Sequence, residues 1–545
     1  MASHRWSIEG RLVAISNLRV GSGNTTTRKN LFVEEKEKIV EIDVSAIAVD
    51  IDGRAYLPGT TIKGRLRSLA QQLQLQSLEG LFGSPDPKAP RAVGGKATFF
   101  DAHMANFDPI KTAAEASNLP HWSSNRQTAV AAGVTLHRQT RTAAEQRLFH
   151  QEFVPPGTAF HLRIAGVSMQ EEEVVDLLQL LELFNSKETE TGLGASISDG
   201  WGRLRWELTS LKTLDDVQLL RWVEESMDHG SNQAGPAGPA GPAGPAGWNA
   251  LQEVSPAQQG ALLELARARA LPGLGSAVVS TTIHLSFESN FLVNDPSRCK
   301  PKGKNSQVDS NEDLPNHAPR LTQDGRVLLP ASSFRGALRS QAERILRTIG
   351  DVTSACYPDS HGPRAACQPV TEEADLQALC PACKLFGAPG WRSPIHLTDF
   401  TPTADGQGVL VDRQEFVAID RFTGGSAPHL KFNATSQYRP TLEGQLSVDL
   451  ARLAKTGAGG WAIALLTLVL RDLVEGDIRL GLGAAKGFGA LQARLLNLSI
   501  PTWKNMPTIF NQDLPDLTEE TPQYNYPDKI SGNLELMVEI WSDEL

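Results

Sequence analysis

The sequence predicts an α+β protein made of two tandem copies of one βαββαβ unit. Three observations predict it. First, Leu57-Pro58-Gly59-Thr60-Thr61-Ile62-Lys63-Gly64-Arg65-Leu66-Arg67-Ser68 has a partner in Leu329-Pro330-Ala331-Ser332-Ser333-Phe334-Arg335-Gly336-Ala337-Leu338-Arg339-Ser340, and Asp-Gly-Arg precedes both. Second, further matches follow in the same order. Leu81-Phe82-Gly83 pairs with Leu385-Phe386-Gly387, and Phe100-Asp101 with Thr398-Asp399-Phe400. Leu136-His137-Arg138 pairs with Ile419-Asp420-Arg421, and Gly192-Leu193-Gly194-Ala195 with Gly481-Leu482-Gly483-Ala484. Third, residues 234–247 carry four Gly-Pro-Ala triplets between the copies. Four triplets on one chain cannot make a collagen triple helix, so this tract reads as an extended linker.

Taken in order, each copy opens with a strand. Residues 6–13 and 281–287 alternate apolar and polar side chains, the period of a half-buried strand. The duplicated motif then begins a helix, which Thr60 or Thr61, and Ser332 or Ser333, are placed to cap. A second helix follows at 171–184 and 461–475, and a closing strand at 202–208 and 489–498. Strand, helix, strands, helix, strand is the ferredoxin-like (RRM-like) order, a common platform for single-stranded RNA. The expected division is 1–208 for the first unit, 209–275 for the linker and a short packing helix (256–271), 276–500 for the second unit, and 501–545 for an acidic tail.

The chain has 545 residues, so about 150 residues per domain allows two to four domains. Its 52 Lys plus Arg against 62 Asp plus Glu leave a net charge of −10. That excludes a protein that binds nucleic acid by bulk positive charge; it does not exclude local basic sites. The first residues lack the apolar core of a secretory signal, and the apolar run 461–470 is half of what a membrane crossing needs. Five cysteines are too few for a disulfide scaffold, and four of them cluster. A reducing cytoplasm is expected.

Those four are Cys356, Cys367, Cys380 and Cys383, the last two forming a C-x₂-C knuckle in a stretch with little apolar sequence of its own. Four thiolates suit tetrahedral, structural Zn²⁺, with His361 as the alternative ligand. A redox C-x-x-C is the rival, but the βαβ context it needs is missing. Lys63 and Arg67 are four apart on one helix, as are Arg335 and Arg339. A helix start with two basic groups can cradle a phosphate, and a solvated basic face is the plainer reading. The glycine segments 192–203 and 481–489, with Arg203 and Lys486, can approach a phosphate closely or simply turn.

The ordered set Pro-Gly-Thr-Thr-Ile-Lys-Gly-Arg-Leu-Arg, Leu-Phe-Gly-Ser, Glu152-Phe-Val-Pro-Pro-Gly157 and Gly-Leu-Gly…Gly-Trp-Gly-Arg resembles the RAMP superfamily over 1–208 and 276–498. More narrowly it resembles backbone subunits of type III CRISPR effector complexes, here two fused in one chain as in a type III-D variant. The resemblance implies a CRISPR guide RNA, a complementary target RNA, and other RAMP-type and large-subunit proteins as partners, with no membrane. It implies cleavage of the target by an aspartate in an Ile-Asp pair, placed in the loop after the opening strand. Asp43, 15 residues before Pro58, resembles that position. A carboxylate can bind Mg²⁺ directly or through water, the metal then offsetting charge on the phosphate. The second copy has Pro315 at the matching distance, leaving Asp313 and Asp309 as nearest candidates. Residues 18–41 and 110–131 would act as fingers that open a guide–target duplex. His121, Trp122, Arg126 and His137, within or beyond the second finger, could serve proton transfer or structure. A structural scaffold without nuclease activity and a CRISPR-RNA-processing endoribonuclease remain alternatives.

Overall fold

A computed structural model describes residues 3–35, 38–84, 92–105, 110, 112–137, 142–186, 191–215, 251–270, 277–299, 314–357, 362–403 and 410–499. The chain opens with β1 (Ser3–Ala14) and the long hairpin of β2 (Gly21–Glu35) and β3 (Lys38–Ile47). Short β4 (Tyr56–Leu57) leads to α1 (Gly59–Gln72) and α2 (Leu78–Phe82), then β5 (Ala97–Phe99), β6 (Ala102–Met104) and α3 (Ala113–Asn118). A second hairpin, β7 (Ala129–Leu136) and β8 (Ala143–Phe153), precedes β9 (Ala159–Val167), α4 (Glu171–Glu182) and β10 (Leu204–Asp215). Then come β11 (Gln252–Glu253) and α5 (Pro256–Ala270).

The second copy runs β12 (Val278–Phe287), β13 (Asn290–Phe291), α6 (Ala331–Ile349) and α7 (Pro381–Phe386). It continues with β14 (Ile395–Leu397), β15 (Thr401–Pro402) and the hairpin β16 (Leu410–Ile419) and β17 (Ser426–Tyr438). It closes with β18 (Thr441–Asp449), α8 (Leu450–Ala454), α9 (Gly460–Val474) and β19 (Leu491–Ser499). The described helices include none long and apolar enough to cross a membrane.

The two copies have the same sheet order. In the first, β10, β1 and β9 lie side by side, with β5 and β6 beyond β9. In the second, β19, β12 and β18 do the same, with β14 and β15 beyond β18. Every one of these pairings is antiparallel. Strand β12 shows why the sheets have one buried face: Thr281, Ile283, Leu285 and Phe287 are buried, and the residues between them are not. A period of two puts those four on one side, facing the helices. Ile62, Leu66 and Leu69 of α1, spaced at helical repeat, supply the matching ridge in the first copy. Fully burying such a side chain contributes about 1.5–3 kcal/mol. Each copy encloses its own core, one spanning Trp6 to Ala270 and the other Ile283 to Ala493.

Two details depart from expectation. The threonines and serines do not cap the basic helices. Pro58 and Pro330 occupy the cap positions, and neither makes a side-chain cap bond. Instead Asp101 Oδ1 accepts from Gly59 N at 2.7 Å, and Asp399 Oδ1 from Ala331 N at 2.8 Å. That is the reason the Asp of each Phe-Asp or Thr-Asp pair recurs: a carboxylate from across the fold neutralises the helix start. The helix α5 belongs to the first core rather than to a linker between the units. It buries Leu262, Ala266 and Ala270 there, and Arg269 and Arg267 bridge to Asp176 and Glu182 of α4.

Candidate nucleic-acid interface and metal centre

The four clustered cysteines converge. C-x₂-C places Cys380 at the start of α7 and Cys383 inside it, and the preceding loops bring Cys356 and Cys367 alongside. The four sulfurs all lie within 4.8 Å of one another, and all but Cys367 are buried. Cys356 Sγ is 3.5 Å from Cys383 Sγ, and Cys367 Sγ accepts from Cys380 N at 3.3 Å. Hydrogen bonds from Cys356 and Cys383 favour the Cys380 thiolate and lower its pKa. Arg339 Nη2 donates to Cys383 Sγ at 3.1 Å. Burial opposes charge on Arg339, but Cys383 and the buried Glu343 outweigh it and raise its pKa. Four soft ligands within reach of one ion, with a half-buried cation against them, can hold a zinc-like metal. His361 lies outside the described residues.

Arg339 is therefore not part of an open phosphate cradle. Its Nη1 donates to Gly387 O at 2.9 Å, and Arg67 Nη2 donates to Gly83 O at 3.1 Å. Each copy uses this arginine to hold the carbonyl of its Leu-Phe-Gly turn, so the repeat of the two motifs has a folding cause. Arg335 is also committed to protein. Its Nε pairs with Asp199 at 2.6 Å, Nη1 donates to Ser393 Oγ at 2.8 Å and Nη2 to Ile395 O at 3.0 Å and Ser198 O. Asp199 and Ser198 lie in the first copy, so Arg335 joins the copies. With Asp101 and Asp399 on the helix starts, Gly59 N and Ala331 N are not offered to a phosphate either. Lys63 is half-buried on α1.

The glycine loops hold themselves first. Gly202 has φ +75°, and a Cβ there would lie 2.2 Å from Leu193 O; Gly489 has φ +72°, and its Cβ would lie 2.0 Å from Leu480 O. Only glycine fits both the left-handed backbone and the close approach. Arg203 and Lys486 remain exposed beside these turns. Lys486 Nζ sits 4.1 Å from the centroid of Phe432 and 4.7 Å from that of Phe416, which stack at 5.0 Å. A cation on an aromatic pair is a surface that suits a base and its phosphate.

Asp43 is exposed on strand β3, across from Thr27 of β2, rather than in a loop. Its neighbour Val44 is buried, so the alternation turns Asp43 outward. Glu152, fully buried, fixes the base of this hairpin. It accepts from Arg126 Nε at 3.0 Å, Thr128 Oγ1 at 2.8 Å and Ile47 N at 3.2 Å. Arg126 is thus structural. His121 and His137 are half-buried. Asp309 and Asp313 fall outside the described residues, as do Arg138, the Gly-Pro-Ala tract and the tail.

The first expected finger, 18–41, forms β2 and the start of β3; the second, 110–131, holds α3 and the start of β7. The hairpins the sequence did not single out are β7–β8 and β16–β17. They expose Leu148, Phe149, Leu410, Ile419 and, at the tip of the second, Phe422 at 99 %. Apolar side chains alternating outward on a hairpin carry a signal in the sequence, but it reads the same as a half-buried strand.

Compared with known families, the chain matches a family model described as RAMP superfamily, at residues 11–205 and 271–492. No curated protein matches it.

Proposed function

The chain belongs to the RAMP superfamily, which implies an RNA-binding role in a CRISPR-associated complex, and from that premise we propose that it is a fused two-unit backbone subunit of a type III effector that binds guide RNA and cleaves the paired target. The strand order repeated in both copies carries this reading. Last, first, third, second, all antiparallel, is the order expected of a ferredoxin-like unit and supports that reading, with a glycine loop and a hairpin following in each copy. We place the first unit at 1–270, since α5 completes its core, and the second at 277–500. Guide contact would fall to Lys63, Arg203 and Lys486, whose charges are not consumed in protein ion pairs among the described residues.

Cleavage would use Asp43. An exposed carboxylate on a braced hairpin can take Mg²⁺ through water, and the bound metal would supply charge stabilisation at the phosphate. In the cut itself the target's 2′-oxygen would bond to phosphorus while the 5′-oxygen leaves. The chain's share is to splay one nucleotide into line, for which the apolar hairpins are suited. Reconstituted guide complex with labelled target RNA tests this. Asp43→Ala should remove one cut and spare guide binding; an unchanged fragment pattern refutes the role of Asp43.

One observation favours a second reading, a scaffold whose partners cut. Among the described residues Asp43 belongs to no group of three metal-ligating side chains. A complex in which no cut depends on this chain would decide for it.

A further inference from the structure

Where the two copies meet, arginines gather. Arg65 comes from α1 of the first unit. Arg392 precedes β14, His396 lies on β14, and Arg452 on α8 of the second. Arg392 Nη2 is 3.2 Å from His396 Nε2, and the Arg452 guanidinium is 5.8 Å from the Trp391 ring centroid. Arg65 is half-buried, and desolvation together with the charges of Arg392 and Arg452 lowers its pKa to about 10. His396 is pushed well below its usual range by burial and by Arg392, Arg335, Arg452 and Arg65. The Nε atoms of Arg65 and Arg452 are buried with no hydrogen-bond partner among the described residues. Asp199 answers Arg335, and Asp449 lies 3.6 Å from Arg452. Among the described residues, then, Arg65 has no carboxylate partner. Beside them runs an open groove of about 460 Å³, lined by Gly194, Ser196, Arg335, Trp391 and Arg392.

Burying like charges with unmet donors is costly unless an anion completes them. The guanidinium fork matches phosphate oxygens two at a time. Arg65 has Ala337 at its place in the second copy, so this cluster is not a repeated feature. It exists only because the first unit's helix faces the second unit. We propose that this junction is a phosphate site for one RNA strand crossing from the first unit to the second, the RNA backbone acting as the counter-ion that holds the units together. The occupant rests on the guide-RNA reading above; the anion site does not.

The test uses the full chain with two probes, inorganic tripolyphosphate and single-stranded RNA. Its variants are Arg65→Gln and Arg65→Gln with Arg452→Gln, and the control is Arg344→Gln, an exposed arginine on α6. Tripolyphosphate should raise the thermal midpoint of the wild-type chain and of the control. Both cluster variants should lose most of that rise, while their midpoints without anion do not fall, since repulsion is relieved. RNA affinity should drop roughly tenfold for Arg65→Gln, and its log–log salt slope should shrink by about 1. Equal tripolyphosphate shifts in wild type and Arg65→Gln would overturn the site while leaving guide binding intact. An Arg65-dependent tripolyphosphate shift in a chain that binds no RNA would overturn the occupant and the guide-RNA reading together.

Discussion

Replacing Arg335 with alanine should loosen the join between the two units by about 2–3.5 kcal/mol. The side chain is 12 % exposed and its partner Asp199 24 %. Breaking a fully buried ion pair costs about 3–5 kcal/mol, and breaking an exposed one about 0.2–1 kcal/mol. This pair lies nearer the buried limit, because Ser198 O, Ser393 Oγ and Ile395 O lose donors as well. Asp199 can regain water through its exposed quarter, which keeps the cost below the top of that range. A double-mutant cycle with Asp199→Ala isolates the charge pair, and its coupling should be about 1–2 kcal/mol. Urea unfolding followed by tryptophan fluorescence is the assay; Trp391 and Trp201 lie on either side of the join. With the join weakened, one transition should separate into two, because each unit has a core of its own. A cost under 0.5 kcal/mol with zero coupling would refute the claim that Arg335 works between the units.

Three further outcomes are expected. Cys380→Ser with Cys383→Ser should take bound zinc from about one per chain to zero by metal analysis, with a lower thermal midpoint; unchanged stoichiometry would remove the site from this cluster. For His396, the folded pKa is depressed below the ordinary 6.5, so the folded state binds fewer protons than the unfolded chain. Stability is then full above about pH 6.5 and falls as pH drops through the window below it, by up to about 2 kcal/mol between pH 7 and 5. His396→Gln should flatten that part of the stability–pH curve, and an unaltered slope would show that other groups set it. Gly202→Ala should cost roughly 2–4 kcal/mol in denaturant unfolding, from the positive φ and the overlap with Leu193 O; a loss below 0.5 kcal/mol would mean the loop relaxes freely.

Much of the fold was legible because repetition and periodicity are local. The twelve-residue motif, the alternation in β12 and the helical spacing in α1 and α9 place the elements within a few residues. The C-x₂-C knuckle and its two upstream cysteines likewise announced a metal centre, and the four sulfurs meet. The basic pairs misled for an instructive reason. Spacing of four says that Arg335 and Arg339 share a helix face, but it cannot say what faces them. Asp101, Asp399 and Asp199, far away in sequence, decide that, and they turn an expected phosphate cradle into capped helices, a braced turn and a link between units.

By itself, then, the sequence determined that one α+β unit is present twice and that four cysteines gather. These follow from side-chain period and motif order along the chain. The tertiary structure alone decided where the positive charge remains open. Net charge is −10, yet at the join Arg65, Arg392 and Arg452 lie together and among the described residues Arg65 has no carboxylate partner, because folding brings α1 of one unit beside β14 and α8 of the other. Electrostatic interaction depends on distance through space and on burial, and neither is written in residue order.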